Sequence, residues 1–161
     1  MPYVEIINIY PELFLLRPPV ENLVNFLASK ETKRVKKITI IVTEDEVLND
    51  LKKQYFGEDY LTDTISFNFN KENEPVEGEI YLSIDRIKEN AKEYNETFER
   101  ELVRVLIHSL LHLFGYNDQT DVDRKQMEAL QNFYLLQQNV KGFYRKRHKD
   151  SSGEDERGRI S

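Results

Sequence analysis

His108-Ser109-Leu110-Leu111-His112-Leu113-Phe114-Gly115-Tyr116-Asn117-Asp118 is the stretch on which the reading of this chain turns. Residues four apart lie one above the other on a helix, so the imidazoles of His108 and His112 can reach a common point. Gly115 stands just past the last apolar position, where a residue that takes positive φ at little cost ends a helix and folds the chain back. The turn then carries Asp118 towards the two imidazoles. Two nitrogens and a carboxylate are a donor set suited to zinc, so a site for one Zn2+ per chain is expected at His108, His112 and Asp118, with another divalent transition metal such as nickel, iron or manganese also compatible. A plainer reading makes both histidines core residues bonded to backbone carbonyls. Against it, the chain has only three histidines, and two of them sit at metal spacing in an otherwise apolar helix, where lost hydration needs compensation.

Outward from this stretch, Leu102, Val103, Val105, Leu106, Ile107, Leu110, Leu111 and Leu113 cover nearly the whole circumference of the helix. A helix apolar all round is a buried one. Thr97 is placed to cap its start. Upstream, Val4 to Tyr10 and Lys37 to Thr43 read as strands, and Val20, Leu23, Val24 and Leu27 recur at helical spacing after Pro18 and Pro19. Thr43 and Glu46 have the spacing of a capping box, which predicts a short helix towards Phe56 with Gly57 as its stop. In Thr62 to Asn70, Ile65, Phe67 and Phe69 alternate with Thr64, Ser66 and Asn68, and Glu79 to Ile84 is a further strand after a charged connection over 71–77. These two strands are expected to pair antiparallel. Ser83 or Asp85 can cap a helix through Tyr94, and Thr120 one that carries Met127, Leu130, Phe133 and Tyr134. Strands and helices without regular alternation point to an α+β fold.

At 161 residues the chain is read as a single domain over 1–143. From Tyr144 apolar residues nearly vanish, so 144–161 is expected to be a disordered charged tail, and His148 within it is not expected to be a ligand. Cysteine is absent, which removes disulfides, thiolate ligands and cysteine nucleophiles together. The N-terminus lacks the pattern of a signal peptide and no apolar run reaches membrane-spanning length, so a cytoplasmic location without membrane association is the expectation. A net charge of -6 argues against nonspecific coating of nucleic acid, though not against a local basic groove. Lys33, Arg34, Lys36 and Lys37 form one basic cluster and Lys52 with Lys53 another, and a solvated surface accounts for both.

Three protein ligands leave a fourth position on a tetrahedral zinc for water, whose pKa the ion lowers to about 7. Hydrolysis is therefore the reaction class, and the metal-bound water the reacting group. The histidine helix and glycine turn share the spacing of metzincin-type zinc proteases, a zincin-like arrangement. Those enzymes carry a glutamate after the first histidine as general base, whereas this chain has Ser109, which weakens the protease alternative.

The stretch from about Tyr55 to Met127 resembles the YbeY family of bacterial endoribonucleases. The family's metal motif, approximately HGxLHLxGYDH, is similar to the stretch from His108 to Asp118. Thr62-Asp63-Thr64-Ile65-Ser66-Phe67 is similar to its TDVLSF strand, and Gly78-Glu79-Ile80-Tyr81-Leu82-Ser83 to its GDIxIS strand. The resemblance implies a small mixed β-sheet packed with helices and a metal site at the mouth of a groove. It also implies metal-dependent cleavage of single-stranded RNA in ribosomal RNA maturation, notably at the 3′ end of the small-subunit RNA, with ribosome quality control. The partners implied are ribosomal RNA and the ribosome or its small subunit. Thr62, Asp63 and Ser66 are expected to shape the groove, with Asp63 a weak candidate for proton acceptor. This chain departs from the family at three positions: Asp118 replaces the usual third histidine, Ser109 the usual glycine, and Phe56 an arginine suited to holding phosphate. A non-catalytic ribosome assembly factor with a structural metal is the alternative from another class.

Overall fold

The computed structural model describes residues 3–58 and 61–147. In chain order the elements are β1 (Tyr3–Asn8), β2 (Leu13–Leu15), α1 (Arg17–Glu31), β3 (Val35–Thr43), α2 (Asp45–Phe56), β4 (Thr64–Asn68), β5 (Val76–Ser83), α3 (Ile84–Glu93), α4 (Phe98–Leu113), α5 (Asp121–Leu135) and β6 (Tyr144–Lys146). The main sheet has the order β1-β3-β5-β4. Its first three strands run parallel and β4 pairs antiparallel with β5, so the sheet is mixed and the fold α+β. β3 is buried from Ile38 to Thr43 because it has a strand on either side and helices over the sheet. Its run of Ile and Val residues is the composition such a two-sided environment selects.

α4 is the central helix. It packs on β4 and β5 with α3 and α5 alongside, which accounts for an apolar circumference. Thr97 caps it as expected, its hydroxyl accepting from the Arg100 amide at 3.1 Å. Ser83 and Thr120 cap α3 and α5 in the same way. The start of α2 differs. Thr43 ends β3 with its hydroxyl buried and bonded to nothing among the described residues, so it does not form the expected capping box. Asp85, in the first turn of α3, instead accepts from the Asp45 amide at 3.2 Å. A carboxylate of α3 thus caps the start of α2, a tertiary solution that no local spacing announces.

Two boundaries move for a similar reason. β5 begins at Val76, inside the stretch read as a connection, because Val76 to Gly78 find partners on β3 and β4. The expected tail does not begin at Tyr144: Tyr144–Lys146 forms β6, antiparallel to β2, with Leu13 and Leu15 of that strand buried. Tyr144 sets its ring edge-on to Phe98 at 5.0 Å, and Arg147 donates to the carbonyls of Tyr10 and Asn8. Four more residues therefore belong to the described structure. The remainder of the expected tail, 148–161 with His148, lies outside the described residues.

Gly78 locks β5 beneath the end of α4. A Cβ there would stand 2.5 Å from the Phe67 carbonyl oxygen and 2.8 Å from Leu113 Cδ2. Backbone cannot yield as a side chain can. Gly78→Ala is expected to cost about 1–3 kcal/mol, read as a lowered midpoint in urea denaturation at unchanged slope.

Candidate metal centre

His108 and His112 lie in the last two turns of α4, and the helix ends immediately after them in a Schellman motif. The Tyr116 amide donates to the Leu111 carbonyl and the Gly115 amide to that of His112, both at 3.1 Å. Gly115 has φ +112°, a conformation that side-chain-bearing residues rarely adopt. This turn brings Asp118 back over the helix end. One ligand atom from each of His108, His112 and Asp118 falls within 4.8 Å of the other two.

The hydrogen bonds around the rings decide what this convergence means. His112 Nδ1 lies 3.1 Å from the Tyr116 carbonyl oxygen, which can only accept, so that nitrogen carries the proton. His108 Nδ1 lies 2.7 Å from Gln131 Oε1 on α5, with the same result. Both Nε2 lone pairs are left bare, and they face one another at 3.2 Å. Asp118 Oδ2 stands 3.5 Å from His112 Nε2. Two lone pairs and a carboxylate pointed at one spot repel unless a cation or proton sits between them. Around a tetrahedral zinc with ligands at about 2.0–2.2 Å, neighbouring donors stand about 3.3–3.6 Å apart. The edges of 3.2 and 3.5 Å lie close to that spacing, and the three-residue group can hold a metal.

Burial pushes the His108 imidazole below its usual pKa, and the neighbouring His112 pushes in the same direction, while the bond to Gln131 opposes them. Both leading causes favour the neutral ring that a metal requires.

A cleft of about 450 Å³ opens over the triad, with Thr62, Asp63 and Ser66 on its walls together with His108, His112 and Asp118. The sequence-predicted groove residues and ligands thus meet in one place. β4 presents Thr64, Ser66 and Asn68 to α4: Thr64 Oγ1 lies 2.8 Å from Ser109 Oγ, Ser66 Oγ donates to the Ser109 carbonyl at 3.4 Å, and Asn68 Nδ2 to the Leu113 carbonyl at 2.7 Å. The polar face of this strand is therefore the cleft wall. Ser109 is fully buried and also donates to the Val105 carbonyl, so it joins strand to helix and is no substitute for a catalytic glutamate.

Asp63 accepts from Asn90 Nδ2 at 3.2 Å and lies 3.7 Å from Arg104 Nη2. Burial raises its pKa, and the positive charge of Arg104 works against that rise. Arg104 in turn grips buried Glu101 through two hydrogen bonds. Phe56, half exposed, lines the cleft and stacks on Phe67, while the Lys52 ammonium lies 4.9 Å from the centre of its ring and lines the same cleft. Lys52 also pairs with Glu58 at 3.6 Å. The other basic cluster divides: Lys36 and Lys37 pair with Glu77 and Glu5, whereas Lys33 and Arg34 line a larger cleft of about 900 Å³ that adjoins the first at His112, Leu113 and Asn68.

The profile of the family described as Endoribonuclease YbeY matches residues 13–139. The chain belongs to the YbeY endoribonuclease family. Among its relatives, Endoribonuclease YbeY of Chlorobaculum tepidum is 38% identical over 125 residues, covering 78% of this chain and 85% of that protein. The one from Karelsulcia muelleri is 37% identical over 111 residues, 69% of this chain and 78% of the relative. A Thermotoga maritima protein whose structure was determined in solution superposes with a TM-score of 0.55 at 32% identity, covering 82% of this chain and 86% of that one.

Gln131 and Arg104 escaped the sequence reading, although each left a trace. Gln131 is a polar residue in the buried face of α5, and Arg104 precedes His108 by the same four-residue step that links the two histidines. The depressed pKa of His108 has a consequence for the metal-free protein. The unfolded chain takes up a proton near the ordinary value of 6.5 while the folded ring resists it, so this stability term is complete above 6.5 and is lost as pH falls. Asp63, with a raised pKa, acts in the opposite sense, adding stability as pH falls towards the ordinary carboxylate value. Thermal melts of metal-free protein are expected to show a lower midpoint at pH 5.5 than at pH 7.5 (about one unit either side of the imidazole value), with a smaller fall in His108→Asn.

Proposed function

We propose that His108, His112 and Asp118 bind one zinc ion and that this chain is a metal-dependent endoribonuclease of single-stranded RNA, acting in maturation of ribosomal RNA at the 3′ end of the small-subunit RNA and in ribosome quality control. The observation that carries the reading is the pair of bare Nε2 atoms facing one another beside a carboxylate, at the floor of a polar cleft. Zinc bound there would supply a Lewis acid and lower the pKa of water, the chemistry that hydrolysis of a phosphodiester needs. The remaining work falls to the protein. Asp63 is the proposed proton acceptor, made more basic by burial and oriented by Asn90 and Arg104. Lys52 is the proposed phosphate contact, occupying the cleft beside the position where the family's arginine has become Phe56. Thr62 and Ser66 shape the wall against which the RNA lies. The proposed partners are ribosomal RNA and the small ribosomal subunit, and the proposed location is the cytoplasm. Among the described residues no helix is long and apolar enough to cross a membrane.

The test combines elemental analysis with an RNA assay. Purified without chelator, the wild type is expected to hold about one zinc per chain and to cleave a single-stranded oligoribonucleotide. Asp118→Ala and His112→Ala are expected to lose the metal and at least about 100-fold in rate. A folded wild type that holds zinc and never cleaves RNA above a metal-free control would overturn the nuclease reading in favour of an assembly factor with a structural metal. Asp63→Asn is expected to retain zinc while slowing cleavage about 10²-fold or more.

A further inference from the structure

Glu31 ends α1, far from the metal triad in sequence, yet both of its carboxylate oxygens are committed to residues that frame it. Oε1 accepts from the Tyr116 hydroxyl at 2.6 Å, and Oε2 accepts from the Tyr134 hydroxyl. Tyr116 is the residue whose carbonyl receives His112 Nδ1–H. Tyr134 stands on α5 one turn beyond Gln131, whose side chain receives His108 Nδ1–H. One carboxylate therefore grips the turn that orients one imidazole and the helix that orients the other.

Its location does not serve α1. A negative charge in the last turn of a helix meets the negative end of the helix dipole, where a cation is favoured. The carboxylate is also the only group on α1 that these two phenols contact by hydrogen bonds among the described residues. Gripping two separate elements with one side chain couples their positions, and Tyr116 and Gln131 carry the acceptors that orient the two rings.

We propose that Glu31 is the positioning residue of the metal centre: by holding Tyr116 and Tyr134 together it keeps both imidazoles in the Nδ1–H form with Nε2 turned to the ion. The inference builds on the metal reading above, with a readout that does not need the metal. Nitrogen-15 shifts report the tautomer of each histidine in metal-free protein, and competition with a chromophoric chelator reports zinc affinity. In the wild type both rings are expected as Nδ1–H. In Glu31→Gln, His112 is expected as a mixture of tautomers and the zinc Kd to rise about tenfold, the lower end of the effect of losing a group that orients a metal ligand. Tyr134→Phe and Tyr116→Phe each remove one phenol from the grip and serve if Glu31→Gln does not fold. Tyr134→Phe is expected to affect His108 more, and Tyr116→Phe to affect His112 more. A folded Glu31→Gln with wild-type tautomers and wild-type zinc affinity would overturn the proposal while leaving the metal site intact. A wild type that binds no zinc, but whose histidine tautomers still respond to Glu31→Gln, would uphold the positioning role and remove the metal reading instead.

Discussion

Two imidazoles placed in the end of a buried helix create the constraint around which this molecule is arranged. α4 has to lie against β4 and β5 with α3 and α5 on its flanks, because its apolar residues between Leu102 and Leu113 face every side. His108 and His112 go into that packing with it and lose hydration on the way. Each recovers one hydrogen bond through Nδ1, from Gln131 and from the Tyr116 carbonyl. The other nitrogen of each ring is then left with a lone pair and no proton, at a point where Asp118 adds negative charge. Such a spot is electrostatically unfavourable when empty and favourable around a cation. The glycine turn, the polar face of β4 and the outer grip on Tyr116 all serve the geometry of this point.

Much of this arrangement was legible in the residues. The helical spacing of the histidines, the glycine that reverses the chain and the returning aspartate are local features, and local features survive folding. So are the caps at Ser83, Thr97 and Thr120, where a hydroxyl needs only the amide three residues on. What escaped notice depends on distant parts of the chain meeting. Asp85 caps α2 from another helix, and β2 and β6 are three-residue strands that exist only because each supplies the other's partner. Residues 144–147 read as tail because their polarity is real. Their order comes from pairing with Leu13–Leu15 and from one aromatic contact, neither of which periodicity records.

The three positions at which the resemblance implies other residues have separate physical outcomes. Ser109 in place of glycine adds a buried hydroxyl, fully bonded between Thr64 and the Val105 carbonyl, and so ties β4 to α4. Phe56 in place of arginine exchanges a charge for a ring that stacks on Phe67, with the Lys52 ammonium beside it. Asp118, where the resemblance implies histidine, gives the candidate donor set one negative charge.

The three candidate donors also differ in how firmly they are held. The histidines stand on a helix packed on several sides, each ring tethered at its far nitrogen, whereas the Asp118 side chain is 46% exposed and sits in the connection between α4 and α5. Most of the ordering entropy of two donors is therefore spent when the protein folds, and that of the third remains to be lost when a ligand arrives. A site built this way has two donors anchored by packing and one that is half exposed. An ion bound there would meet two donors already ordered and a third whose ordering adds to the cost of binding.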